Sequence, residues 1–158
     1  MSLIKRHYRQ VIWCCIAGYI IFILYVTLFS RESKDLFKYD FHPFWSYKAI
    51  IEGREDLLLE NFLNVILFIP LGLLLWCVMK RKKWWEASAV GCVLSLCIEI
   101  AQLIMKRGFS ELDDVIHNSL GTIIGYGLAA GLTMIVNKLI CNRERRVKDF
   151  EYSQLEQE

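Results

Sequence analysis

Charges in this chain are confined to the intervals between four long apolar runs. Residues 11–30 carry no charge over twenty positions and 61–79 none over nineteen. Residues 87–105 carry one (Glu99) over nineteen, and 115–137 none over twenty-three. A helix crosses a hydrocarbon core of about 30 Å with roughly 20 mostly apolar residues. The pattern predicts an all-α integral membrane protein, four transmembrane helices in one bundle. A short N-terminus (1–10), a membrane domain (11–140) and a polar tail (141–158) follow from the same pattern. The first run is longer than the about 7–15 residue apolar core of a signal peptide, and no small-x-small pair follows it, so it reads as a retained anchor.

Composition sharpens this reading. Of 158 residues, 55% are hydrophobic and 23% charged, with a mean hydropathy of +0.34. That excludes an ordinary soluble enzyme, a secreted disulfide scaffold or a disordered chain. Lys and Arg number twelve in the N-terminus, the 80–86 turn and the segment from Lys138 onward, against seven in the loops 31–60 and 106–114. Basic residues in short loops stay inside. Both termini should therefore be cytoplasmic, with the Lys80–Lys83 run as the strongest vote. Trp13, Trp76, Trp84 and Trp85 fall at the inner ends of their spans, as an interfacial belt would. All six cysteines lie in spans or on the inner side, so no disulfide is expected. The thirty-residue first loop is rich in aromatics over 41–47 and should place a short interfacial helix at the outer surface. Gly53 should separate that piece from an early start of the second span.

Ionisable groups inside a membrane are costly and mark functional sites by default. Cys92, Ser95, Glu99, Gln102 and Lys106 share one face of the third span. Asn61 and Asn64 lie in the first turns of the second span; Asp114, Asn118, Gly121 and Gly125 form a stripe on the fourth. The predicted threading brings all of them to the outer side. Arg107 is the expected partner of Glu99 or Asp114, because a guanidinium holds a carboxylate bidentately. Asn64 and Asn118 can fill remaining hydrogen bonds. The cluster is either a ligand pocket or a clamp that fixes helix register. Asp113 and Asp114 also suit an N-terminal helix cap, Asp114 being the better site candidate. His117 alone is a weak metal or proton-relay signal. No metal cluster, cofactor motif or catalytic constellation is apparent. Pro70 should kink the second span, with Gly72 beside it as a packing device. Gly121-x-x-x-Gly125 and Gly127-x-x-x-Gly131 both suit close internal helix packing, with self-association as a second use.

Three segments, in order, resemble the VanZ-like membrane protein family, named for a teicoplanin-resistance protein. They are Pro43-Phe44; the 61–72 segment with Asn64, Phe68, Pro70 and Gly72; and the series Glu99, Gln102, Arg107, Phe109, Asp114, Asn118, Gly121, Gly125. The resemblance covers roughly residues 15 to 137. Asp40 stands where many members have Asn, so a polar role for that Asn should not transfer. Ser110-Glu111 replaces a common Phe-Asp, and Thr122 a frequent Gly. The resemblance implies a four-span bacterial envelope protein with an outward-facing role, and supplies no reaction.

The favoured function is a non-catalytic binder of an amphiphile at the outer leaflet of a bacterial cell membrane. Its ligand would be a membrane lipid, a lipid-linked wall precursor or a teicoplanin-type lipoglycopeptide, with no nucleic-acid partner and no cofactor. Arg107 would hold an anionic group, with Asn64, Gln102 and Asn118 hydrogen-bonding it, and Glu99 and Asp114 completing the cluster. The alternatives are a membrane enzyme using Glu99 or Asp114 as acid–base, and, least favoured, a small proton-coupled exporter. A homo-oligomer fits the glycine motifs.

Overall fold

The computed structural model describes residues 3–29, 39–79 and 84–155; the Lys80–Lys83 run lies outside the described residues. Helix α1 (Leu3–Leu24) continues into a π-helical turn, Tyr25–Phe29. After it come β1 (Tyr39–Asp40), α2 (Trp45–Ile51) and α3 (Asp56–Val78). The chain closes with α4 (Trp84–Met105), β2 (Ser110–Glu111) and α5 (Leu112–Leu155). Four helices are long and apolar enough to span a membrane: His7–Phe29, Asp56–Val78, Trp84–Met105 and Leu112–Asp149. The protein is an all-α, multi-pass membrane protein. Among the described residues the only strands pair in parallel, β1 with β2, Tyr39 opposite Ser110 and Asp40 opposite Glu111.

Side chains on the inward faces build a core from Ile12, Ile16 and Ile23 of α1, Phe68, Leu71 and Leu75 of α3, Ile98 of α4 and Tyr126 of α5. Outward faces are apolar and exposed, as at Phe62, Leu63, Ile100, Ile104, Leu128 and Leu132. In water this would be unstable; against acyl chains it is the expected arrangement, because lipid is as apolar as leucine.

The tightest seam joins α3 to α5. A Cβ on Gly72 would overlap the Thr122 carbonyl, one on Gly121 the Val65 carbonyl, and one on Gly125 the Ile69 carbonyl. Small residues let the two backbones touch, which recovers dispersion energy where no hydrophobic effect drives helices together. The added bulk of Thr122 is accommodated by α4, since its side chain lies where Gly91 would carry a Cβ. The second glycine pair behaves differently. Nothing lies within 4 Å of a Cβ on Gly127 or Gly131, so the expected internal packing does not hold for that pair. Their face of α5 meets no neighbour, although α3 and α5 still touch at Trp76 and Thr133.

Trp76 is more than a belt residue: its Nε1 donates to Thr133 Oγ1 at 3.0 Å and its ring packs edge-on against Tyr126. Trp13, Trp84 and Trp85 remain exposed. Helix α3 runs on through Pro70. The polar tail is a helical extension of α5, whose 44 residues reach about 66 Å at 1.5 Å per residue. Gly53, at φ +104°, turns the chain between α2 and α3.

Candidate functional site

The C-terminal ends of α1 and α4 and the N-terminal ends of α3 and α5 meet at one end of the bundle, together with α2 and the β pair. The buried polar residues gather there, and their contacts fall into three groups.

The first group docks the loop. Asp113 is fully buried in the first turn of α5. Its Oδ1 accepts the Phe44 N–H at 2.6 Å, and its Oδ2 accepts the Ser46 N–H at 2.9 Å and the Ser46 hydroxyl at 2.6 Å. The carboxylate thus caps α2, a helix distant in sequence, rather than its own helix. Asn61 Nδ2 donates to Ser46 Oγ at 3.1 Å, tying α3 to the same point. Phe44, half exposed, adopts φ 63°, a left-handed conformation that costs a bulky residue on the order of 1–3 kcal/mol. Pro43 presets the turn before it. Asp40 holds the strand end locally: its Oδ1 accepts the His42 N–H at 2.8 Å in an Asx-type turn. That bond holds the Asp40 carboxyl below its ordinary range.

The second group is a nest of carboxylates. Glu99 Oε2 accepts the Glu111 N–H at 2.8 Å, and Asn64 Nδ2 donates to Asp114 Oδ1 at 2.6 Å. Glu111, 5% exposed, receives the Trp45 indole N–H at 3.1 Å. Burial pushes its carboxyl up to about 8, and the negative charges of Asp114, Glu60 and Glu99 add to the effect. A proton on Glu111 removes one charge from a group of acids that would otherwise repel.

The third group closes helix ends. The π turn leaves the last carbonyls of α1 without partners in their own helix. Gln102 Nε2 donates to the Thr27 carbonyl at 3.1 Å, and Arg107 Nη1 to the Leu28 carbonyl at 3.2 Å. The guanidinium also lies 5.5 Å from the Phe29 ring centre. A cation at a helix C-terminus opposes the negative end of the macrodipole. These contacts of Arg107 lead to α1, whereas the sequence pointed it at Glu99 or Asp114. Deeper in the bundle, Asn118 Nδ2 donates to Ser95 Oγ at 2.8 Å, and Thr122 Oγ1 to the Asn118 carbonyl at 3.0 Å. The side-chain oxygens of Gln102 and Asn118 are buried without a protein partner.

Asn64, Glu99, Gln102, Asp114 and Asn118 on three helices, and Arg107 in the turn after α4, therefore all reach this end of the bundle. Sequence reasoning undervalued Asp113, Glu111 and Ser46. The doubled Asp at a helix start was the available signal for Asp113; nothing local marks Ser46. His117 is buried, with Tyr47 Oη 2.8 Å from its Nε2. Among the described residues no group of three or more ligating side chains could hold a metal.

Cavities flank the polar groups. One of about 480 Å³ lies between the π turn of α1 and α3, lined by Val26, Thr27, Asp56, Leu59, Glu60, Leu63, Asn64, Ile66 and Leu67. Another, about 650 Å³, lies along the docked loop and α2, where Asp40, Phe44, Trp45, Lys48 and Arg54 line it. A smaller one, about 100 Å³, touches Glu99 and Glu111 through mainly aliphatic walls. The first two are in the range of about 300–1,000 Å³ that suits a ligand, and the first of them adjoins the intramembrane polar residues through Asn64.

The sequence model of the family described as VanZ/LLP1 matches residues 13–136, from within the first span to within the fourth. The chain belongs to the VanZ/LLP1 family. It is similar to protein VanZ of Enterococcus faecium, 32% identical over 117 residues that cover 72% of each chain. No solved structure gives a significant match. The VanZ/LLP1 assignment agrees with the resemblance read from the sequence.

Proposed function

We propose that this VanZ/LLP1 protein is a non-catalytic envelope protein that binds an amphiphile from the outer leaflet of a bacterial cell membrane, with both termini cytoplasmic. The supporting observation is the cavity between α1 and α3. Its lining residues 56, 59, 60, 63, 64, 66 and 67 fall on one helical face and extend about 16 Å along the axis. Asp56, Glu60 and Asn64, four residues apart, make a polar stripe along it, with Leu59, Leu63, Ile66 and Leu67 as an aliphatic stripe beside it. A headgroup and an acyl chain share that division. The excess of Lys and Arg in the termini and the 80–86 turn supports placing the polar end outside.

An acid–base enzyme built on Glu99 or Asp114 gains less support. The about 100 Å³ cavity beside Glu99 is too small for a substrate, and Asp114 is already engaged by Asn64. By likeness to protein VanZ, the biological outcome we propose is lowered susceptibility to teicoplanin-type lipoglycopeptides. The test compares isogenic bacteria with and without this gene against teicoplanin and vancomycin. A higher inhibitory concentration for teicoplanin alone is expected; identical values for both strains would remove the resistance reading. Reporter fusions after Met79 and after Lys106 test the orientation. The first should report cytoplasm and the second the outside.

A further inference from the structure

We propose that Gln102 and Arg107 are positioning residues of the amphiphile cavity: from the C-terminal turn of α4 they hold the π turn of α1, and with it the cavity wall made by Val26 and Thr27. This rests on the amphiphile-binding reading above. Among the described lining residues, Val26 and Thr27 form the α1 side, opposite residues of α3. Gln102 and Arg107 are not among them, so both act from behind the wall rather than on the occupant.

The end of α4 builds the two prongs together. Lys106, at φ 53°, takes the left-handed position just past the helix. The Lys106 N–H donates to the Leu103 carbonyl at 3.3 Å and the Arg107 N–H to the Gln102 carbonyl at 2.9 Å, the two bonds of a Schellman motif. Gln102 and Arg107 are thereby tied main chain to main chain. Their side chains leave this knot for consecutive carbonyls of α1, Gln102 Nε2 for Thr27 at 3.1 Å and Arg107 Nη1 for Leu28 at 3.2 Å.

The wall hangs between two ties. Deeper in the bundle, Tyr19 Oη donates to the Leu67 carbonyl at 2.8 Å, joining α1 to α3 at a residue that lines the cavity. Thr27 lies roughly 12 Å further along α1, where the two prongs supply the second tie. Between them the Thr27 hydroxyl turns back to the Ile23 carbonyl at 2.8 Å. A π turn is rare and occurs mostly as a single turn inside an α-helix. Without the prongs, two buried residues, Thr27 and Leu28, lose the donors to their carbonyls. A return to the α-helical ladder would then rotate Val26 and Thr27 about the axis and reshape the cavity.

The experiment reconstitutes the full-length protein in phosphatidylcholine liposomes with dodecanol bearing a diazirine in its tail. Labelled peptides are mapped by mass spectrometry over a range of probe concentrations. In the parent, label should fall on Val26 and Thr27 as well as on Leu59, Leu63, Ile66 and Leu67. Gln102→Leu and Arg107→Ala should each raise the half-saturating concentration about tenfold, the scale of one lost hydrogen bond, and shift the remaining label from Val26 and Thr27 to α3. Arg107→Ala alone carries the test if Gln102→Leu does not fold. Arg107→Lys keeps a donor for the Leu28 carbonyl and should retain most of the affinity. Gly91→Ala crowds the Thr122 side chain between α4 and α5; it lowers stability away from the cavity and should label as the parent does. Parent-like affinity and label in the clamp variants would overturn the positioning inference and leave the amphiphile cavity standing. So would an equal loss in Gly91→Ala, or a loss shared evenly by the two walls, which would mark a direct ligand contact. A parent protein labelled no more on this α3 face than on the exposed Leu128 and Leu132 would overturn both.

Discussion

Replacing Asp113 should unlock the loop end of the bundle. Its carboxylate accepts three hydrogen bonds, from the Phe44 and Ser46 amides and the Ser46 hydroxyl, and Asp113 and Ser46 are both fully buried. Hydrogen bonds to a charged acceptor contribute about 1.5–3 kcal/mol each, and a buried donor left alone costs about 1–3 kcal/mol. Water entering a truncated site would recover part of this, so Asp113→Ala should cost about 3–5 kcal/mol, the level reserved for broken buried networks. Asp113→Asn keeps one acceptor oxygen and points an N–H₂ at a donor, so about 2–3 kcal/mol is expected. Two readouts separate this from general damage. Thermal unfolding in detergent gives the loss of stability, and hydrogen exchange should show fast exchange at Phe44 and Ser46 while α3 and α5 stay protected. An Asp113→Ala protein with stability within about 0.5 kcal/mol of the parent and unchanged exchange at those amides would refute the reasoning.

The seam between α3 and α5 gives a paired test. Gly125→Ala must push the Ile69 carbonyl away and should cost about 1–3 kcal/mol, whereas Gly131→Ala meets open space and should stabilise by up to about 1 kcal/mol through helix propensity; equal effects on unfolding would contradict the packing. Glu111 sets a pH dependence. Its folded value of about 8 stands above the ordinary 4.5, so between those values the folded protein holds a proton that the unfolded chain releases. Stability should fall as pH rises from about 4.5 to 8, and Glu111→Gln should flatten that decline in unfolding temperature measured across the window. Arg107→Ala removes the cap on the Leu28 carbonyl and should cost about 1–2 kcal/mol, with Arg107→Lys intermediate; a drop in ligand binding with no change in unfolding would instead make Arg107 a ligand contact.

The four spans were legible because their signal is one-dimensional: about 20 uncharged residues are enough to cover the hydrocarbon. The polar end was legible for a related reason. Asn64, Glu99, Gln102 and Asn118 sit inside otherwise apolar runs, and a bundle has few places to put them. Hydrogen-bond partners were less accessible. Arg107 was assigned a carboxylate by charge, yet the π turn at Tyr25–Phe29 presents carbonyls that a periodicity argument cannot foresee, and the guanidinium goes to Leu28. Asp113 looked like a cap for its own helix because capping patterns are local; its partners lie 67 and 69 residues away. The glycine motifs show the same limit. Two copies of one spacing, Gly121/Gly125 and Gly127/Gly131, face a helix and open space respectively, since spacing defines a smooth stripe and tertiary packing decides what meets it.

The most direct test of the central claim is photo-crosslinking in proteoliposomes, using a single-chain amphiphile with a diazirine in its tail and mapping labelled peptides by mass spectrometry. Labelling should concentrate on Leu59, Leu63, Ile66 and Leu67 and be lost in Leu63→Trp. Labelling spread evenly over the other exposed faces, such as Leu128 and Leu132, with no effect of Leu63→Trp, would contradict it.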